Sequence, residues 1–377
     1  MLSRRSLALA FAAAAAPRWK LACAASTSAS ASASASTSTS TSTSSGSFVF
    51  PRDFGAHPES RIEWWYVTGA LQAAARLWGF QITFFRAATG IAGAASSRFQ
   101  AGQVVFAHAA ITDLEQARLR HDQRIARSGF GIAEASSEDT LLRLRGWQLV
   151  REPGVGPSRY RAVAASDSAG FRFDLALDAT QAVLMQGVGG LSQKGPDAAQ
   201  ASRYYSEPQL AVRGTLGLDG GRPIAVSGRA WLDHEWSDSL LAPDAVGWDW
   251  IGMNLDDGSA LTAFRLRRAD GNALWAGGSF RPAGGATRNF AAGDVFFAAG
   301  RRWTSPASKA SYPVQWTVTT PAGRFGIEAL LDDQELDSRA STGAIYWEGL
   351  ARLVDAGGRP VGRGYLEMTG YASRLVI

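Results

Sequence analysis

The chain has 377 residues, of which 46% are hydrophobic, with 13 tryptophans, 41 glycines and a formal charge of +5. That length suits two domains of roughly 100–200 residues each, and the tryptophan and glycine content without long charged runs points to strands and tight turns, not a helical bundle. Nucleic-acid binding is excluded: Arg4, Arg5, Arg18 and Lys20 stand among the first 47 residues with no acid, so +4 of the +5 sits there, and the later arginines form no stripe that could track a phosphate backbone.

Residues 1–25 read as an export signal. Arg4 and Arg5 precede an apolar stretch from Ser6 to Ala16, too short for a resident membrane helix. Ser3-Arg4-Arg5-Ser6-Leu7 is similar to a twin-arginine signal. Cys23, the single cysteine, is either discarded with this segment or acylated as a lipoprotein anchor. Residues 26–47 alternate Ser, Thr and Ala. No side chain there can build a core, so the segment reads as a disordered tether. An exported, periplasmic or secreted location is expected, with peripheral membrane association through the tether or an acylated Cys23.

From Phe48 onward period-2 patterns dominate. Strands are expected at Trp64–Leu71, Trp78–Arg86, Gly102–Thr112, Leu141–Val150, Tyr160–Ala165 and Phe171–Leu177, with one short helix at His121–Ser128. Ala182–Ala201 reads as an irregular loop near a lobe boundary. The scheme repeats at Leu210–Leu218, Ile224–Leu232, Gly247–Leu255, Ala260–Arg267, Ala344–Val354 and Gly362–Thr369, with Asp257-Gly258 as a hairpin turn. Glu63-Trp64, a turn, then Phe85-Arg86 is echoed by Asp249-Trp250, a turn, then Phe264-Arg265, which suggests a duplicated lobe. The fold class is all-β: two antiparallel barrels, or barrel-like sandwiches, in tandem with few helices. The domains are expected at 48–205 and 206–377.

Nucleophile-elbow, dinucleotide-binding and Walker motifs are missing, and His234-Glu235 lacks the second histidine of a zinc-peptidase motif. With a lone cysteine and four scattered histidines, no metal centre is expected. Two polar clusters stand out. One is His57 to Tyr66, holding Glu63, Trp64, Trp65 and Tyr66. The other is Trp231-Leu232-Asp233-His234-Glu235-Trp236, with Trp248-Asp249-Trp250 following. A carboxyl pressed against aromatic faces stays protonated near neutrality and can serve as a general acid, and tryptophan faces can stabilise a developing cation. The competing reading is structural: Glu63 with Arg86, or Asp249 with Arg265, could close a barrel end. His108 reads as a core histidine, Tyr204-Tyr205-Ser206 as a hydrogen-bonding lip or a strand start, and the faces of Glu348 and Glu367 stay open.

Pro51-Arg52-Asp53-Phe54-Gly55-Ala56-His57-Pro58, Glu63-Trp64-Trp65-Tyr66-Val67-Thr68-Gly69, Trp231-Leu232-Asp233-His234-Glu235-Trp236-Ser237, Gly247-Trp248-Asp249-Trp250 and Gly364-Tyr365-Leu366-Glu367-Met368-Thr369-Gly370-Tyr371 together resemble the family of AttH-like secreted hydrolases and carotenoid 1,2-hydratases. The resemblance implies two lipocalin-like domains, no cofactor and water addition to an alkene. Carried to this chain, it makes Asp249 or Asp233 the acid and gives His234 the water. Trp236, Trp248 and Trp250 would line the cation site, while Glu63, Trp64, Trp65, Tyr66 and Tyr205 join as substrate contacts and Glu235 as a further acid. The expected partner is an apolar or lipid ligand in a barrel cavity. Catalysis by a hydratase or hydrolase, and simple carriage of a lipid, both fit.

Overall fold

The computed structural model describes residues 47–90, 101–239 and 241–374. The expected export segment, Cys23 and all but the last residue of the expected tether lie outside these. Among the described residues there is no α-helix. One 3-10 turn, Arg52–Phe54, precedes a run of strands.

The first thirteen strands are β1 (Ile62–Ala73), β2 (Arg76–Ala88), β3 (Gln103–Asp113), β4 (Arg118–Arg127), β5 (Ala133–Ala135), β6 (Leu141–Leu144), β7 (Trp147–Arg151), β8 (Arg159–Ser166), β9 (Phe171–Asp178), β10 (Leu184–Met185), β11 (Leu191–Gln193), β12 (Ala201–Leu218) and β13 (Ile224–Ser237). They form one sheet in the order β4-β3-β2-β1-β13-β12-β9-β8-β7-β6-β5, with β10 and β11 also on β12. This sheet curls until its ends meet: Gly129 bridges Ala133, and Arg124 on β4 donates to the Arg145 carbonyl in the β6–β7 turn. Curling into a nearly closed barrel removes exposed edges.

The second lobe holds β14 (Gly247–Leu255), β15 (Ala260–Arg267), β16 (Ala273–Arg281), β17 (Arg288–Phe290), β18 (Phe296–Ala299), β19 (Arg302–Thr304), β20 (Ser311–Pro313), β21 (Gln315–Thr320), β22 (Gly323–Ala329), β23 (Glu335–Ser338), β24 (Ala344–Val354) and β25 (Pro360–Met368). Its sheet runs β17-β16-β15-β14-β25-β24-β22-β21-β18, with β23 on β24, and β19 pairs β20 separately. The all-β, two-lobed architecture is therefore as the alternating pattern implies.

Two expectations need correction. His121–Ser128 is no helix: it lies almost wholly in β4, paired with β3 from Val104↔Arg127 to Asp113↔Arg118. Its polar residues sit on an edge strand, where the ladder to β3 outweighs weak local β-propensity. The lobe boundary is not at residue 205, because β12 runs unbroken through that position and β13 pairs β1. The chain changes sheets only between Ser237 and Gly247.

Burial explains the two kinds of strand pattern. In β8, buried Tyr160, Ala162 and Ala164 alternate with outward residues, as for a sheet wet on one face. By contrast, β1, the second half of β13 (residues 230–237) and β14 are buried on nearly every residue, because their second faces meet the other lobe. Trp65, Trp78, Trp147 and Phe80 fill the first barrel, and Trp316, Trp347 and Tyr312 the second. A third apolar cluster lies between the sheets: Tyr66, Trp231 and Trp250, with Phe264, Leu350 and Tyr365. The sheets approach so closely at Gly79 that a Cβ there would lie 2.6 Å from Tyr365 Oη and 3.0 Å from Leu350 Cβ. Buried hydrogen bonds pin the contact, including Gln209 N–H to Asn254 Oδ1 (2.7 Å) and Thr112 Oγ1 to Gln334 Oε1 (2.8 Å).

Candidate functional site

The pleat of β13 sorts the central acidic cluster. Successive side chains of a strand point to opposite faces. Trp231, Asp233 and Glu235 face the second lobe, while Leu232, His234 and Trp236 face the first barrel's interior. Asp233, His234 and Glu235 are thus two half-sites back to back, not one set.

The interior half-site is a closed network. Glu63 lies opposite Arg86 in the β1–β2 ladder, and Arg86 Nε donates to its Oε2 at 2.8 Å. Its Oε1 meets His57 Nδ1 at 2.7 Å and His234 Nε2 at 2.8 Å. Tyr205 Oη holds His234 Nδ1 at 3.0 Å, Trp65 stacks on the His234 ring, and Trp236 stacks on His57 at 3.7 Å. Burial pushes Glu63 up, but the hydrogen bonds and charges of His234 and His57 outweigh it and hold it at about 2. Burial drives His234 down to about 4, against the pull of Glu63. His57, Glu63 and His234 offer three donor atoms within 4.8 Å of one another. Each is already engaged, and a divalent ion there would sit beside the buried Arg86 cation, so the set reads as an ion-pair network closing the barrel end. His234, Trp236, Glu63, Trp65 and Tyr205, expected at the ligand, are placed on this inner side.

Asp249 is also turned inward. Opposite Arg265 in the β14–β15 ladder, it accepts from Arg265 Nε (2.7 Å), Arg267 Nη1 (3.1 Å) and Tyr371 Oη (2.8 Å) in the second barrel. The duplicated motif now has a physical meaning. In each copy the acid pairs inward with arginine, and the neighbouring tryptophan pairs outward with phenylalanine: Trp64 with Phe85, Trp250 with Phe264.

Those outward residues line an open cleft between the two sheets, with a cavity volume of about 120 Å³. It is not inside either barrel, where a ligand cavity was expected. Of the anticipated residues it gathers Trp64, Tyr66, Asp233, Glu235, Trp248 and Trp250. Four carboxyls face it. Asp233 is served by three donors: Ser206 Oγ (2.5 Å), Trp231 Nε1 (2.6 Å) and Tyr204 Oη (2.7 Å). Burial nevertheless raises it to about 7. Glu235 accepts from Ser202 Oγ and from Lys194 Nζ at 2.9 Å.

The other two acids escaped the sequence assignment. Glu348 on β24 and Glu367 on β25 are cross-strand partners on the cleft face. Burial, then Glu367, pushes Glu348 well above the carboxylate range, with the Tyr66 and Tyr346 hydroxyls pulling the other way. Glu367 is raised by burial to about 7, against hydrogen bonding from Trp248 and with Asp233 and Glu235 adding to the rise. Oε1 of Glu348 and the Tyr66 hydroxyl are buried without a hydrogen-bond partner. Buried groups without a partner are rare, and these two neighbour each other, since Tyr66 and Glu348 each shift the other's ionisation. The available signal was the pair of acids within the aromatic C-terminal runs, but nothing local showed which face they took.

This site can hold an apolar molecule against Trp64, Phe85, Trp248 and Trp250, and burial raises three of its carboxyls, Asp233, Glu348 and Glu367. In comparisons with known proteins, a search of curated proteins finds no match. The crystal structure of an AttH protein from Nitrosomonas europaea is similar at 46% identity with a TM-score of 0.80, covering 87% of this chain and 98% of that one. Kievitone hydratase from Nectria haematococca is similar at 16% identity with a TM-score of 0.66, over 87% of this chain and 94% of its own. CghA with Sch210972 is similar at 9% identity with a TM-score of 0.50, over 85% and 90%. At those two identities the similarity is one of fold alone. A model of the AttH-like family matches residues 41–371, nearly the whole described chain, and the protein belongs to that family.

Proposed function

We propose that the protein is an exported hydratase that adds water to an alkene of an apolar, isoprenoid-like substrate, using its own carboxyls and no cofactor. The observation that carries this is the aromatic cleft with Asp233, Glu348 and Glu367 all raised by burial. A kievitone hydratase with the same fold adds support by analogy only.

In this reading a protonated carboxyl of the Glu348–Glu367 pair gives its proton to one alkene carbon. The π pair becomes the new C–H bond, and the adjacent carbon is left cationic. The faces of Trp64, Trp248 and Trp250 stabilise that cation through their ring quadrupoles. Water attacks, forming the C–O bond, and its surplus proton goes to Asp233, whose three donors favour the ionised form that can accept it. Return of that proton to the acid pair completes the cycle. The same acid and base would serve hydrolysis of an activated bond.

The test is incubation of the full chain with acyclic isoprenoid alkenes in oxygen-labelled water, read by mass spectrometry. A product heavier by one labelled water is expected. Glu367→Gln and Asp233→Asn should each lose roughly 100-fold or more in kcat with folding retained. Recovery of every bound ligand unchanged would favour a lipid carrier instead.

A further inference from the structure

We propose that two hydrogen-bond branches rooted in the second lobe, Ser279–Gln186–Ser206 and Trp250–Tyr204, hold Asp233 as the proton acceptor of the cleft, with Oδ2 as the accepting atom. This rests on the reading of the cleft given above and names the residues that make its base.

Each link has a direction set by which groups can donate. An indole nitrogen can only donate. Trp231 Nε1 therefore gives its proton to Asp233 Oδ1 at 2.6 Å, and Trp250 Nε1 gives its own to Tyr204 Oη at 3.3 Å. The Tyr204 proton is left for Asp233 Oδ2, 2.7 Å away. The other branch begins at Ser279 on β16, fully buried, whose Oγ donates to Gln186 Oε1 at 2.8 Å. Gln186, itself buried between β10 and β11, turns its Nε2 to Ser206 Oγ at 2.8 Å. The single Ser206 proton then goes to Asp233 Oδ1 at 2.5 Å, a length typical of a hydroxyl on a carboxylate. The reversed branch would have Ser206 donate to an amide oxygen instead, and a carboxylate is the stronger acceptor.

An ionised carboxyl has four lone-pair sites. Ser206 and Trp231 fill both on Oδ1, and neither residue lines the cleft. Tyr204, which does line it, fills one on Oδ2. The open site is thus on Oδ2, the cleft-side oxygen, where a proton from attacking water can arrive. The charged groups around Asp233 oppose its ionisation: Glu235 on its own strand and Glu367 on β25 repel it, and Lys194 is bound to Glu235. Tyr66, its ladder partner on β1, adds no positive charge. The three donors work against these acids, and Gln186 and Trp250 keep two of the three aimed. Gln186 touches no reacting atom and is a positioning residue. Trp250 adds this role for its N–H to that of its ring face.

Infrared spectroscopy of the full chain, without substrate, tests the assignment through the acid carbonyl band that disappears in Asp233→Asn. Ser206→Ala and Tyr204→Phe should each raise the pH at which this band titrates away by roughly one unit. Gln186→Leu should raise it by less, because Ser206 can still donate but is no longer held, and it should add nothing in the Ser206→Ala background. Trp250→Phe should likewise add nothing to Tyr204→Phe. In turnover the base must be ionised, so Gln186→Leu should move the acid limb of the kcat profile up by the same amount as the band, with the high-pH plateau and KM retained. A merely structural glutamine would depress kcat evenly across pH. An unmoved band in Gln186→Leu, or a Gln186→Leu shift as large without Ser206 as with it, overturns the proposal; so does an unmoved band in both Ser206→Ala and Tyr204→Phe. The expected shifts with no hydrated product would sink the hydratase reading and leave this one standing. A hydrated product with unmoved bands would do the reverse.

Discussion

Replacing Glu63 by Gln tests whether the inner half-site is structural. Glu63 is 0% and Arg86 1% exposed, and Arg86 is committed to Glu63 Oε2 and to the His57 and Ser60 carbonyls. The amide removes the carboxylate charge and leaves the guanidinium buried without a counter-charge. Breaking a buried pair from one side costs about 3–5 kcal/mol. The transition midpoint should fall by on the order of 10 °C at about 2–4 °C per kcal/mol. Arg86→Met alone should cost a similar amount. The Glu63→Gln, Arg86→Met double variant should lose less than the sum by roughly 2–3 kcal/mol, because no uncompensated charge remains. Thermal and urea unfolding followed by circular dichroism gives the cycle, and turnover at a temperature where all variants are folded should match the parent, since the Glu63 side chain lies on the face of the β1–β13 sheet away from the cleft. If Glu63→Gln unfolds within about 1 kcal/mol of the parent, or the two changes add, the buried-pair argument fails.

Other consequences follow from the same geometry. Burial holds the Glu367 pKa at about 7, so the folded state binds more protons than the unfolded chain between roughly pH 7 and 4.5. That contribution is present at low pH and lost as pH rises through 7, so Glu367→Gln should gain stability on the parent between pH 5 and 8, by at most about 3 kcal/mol, measured as urea midpoints. His234, held at about 4, acts oppositely: its contribution is present above the ordinary histidine pKa and fades as pH falls toward 4, so His234→Phe should flatten the acid side of the stability profile. Asp249→Asn, which leaves Arg265 and Arg267 without their carboxylate, should lower stability by about 3 kcal/mol while turnover persists, the reverse of Asp233→Asn. Gly79→Ala should cost about 1–3 kcal/mol, read by thermal unfolding, because its Cβ would collide with Tyr365 across the lobe interface.

Local pattern alone determined that this chain folds as strands. Tryptophan-rich alternation and glycine turns admit little else, and the acid–tryptophan and phenylalanine–arginine echo correctly announced cross-strand pairs: Glu63 with Arg86 and Asp249 with Arg265 are direct neighbours in their ladders. The period of two also implied that His234 must leave the face shared by Asp233 and Glu235. Which face mattered was not readable there. In β1, the second half of β13 and β14 both faces are buried, so the usual contrast between apolar inside and polar outside is erased. Only docking of one sheet on the other made the outer face a cleft. Only the β24–β25 register set Glu348 against Glu367, 19 positions apart in sequence. His108 met Tyr346 in the same way, across 238 positions and two lobes, because long-range pairing follows from how whole sheets pack and leaves no local trace in the residues it joins.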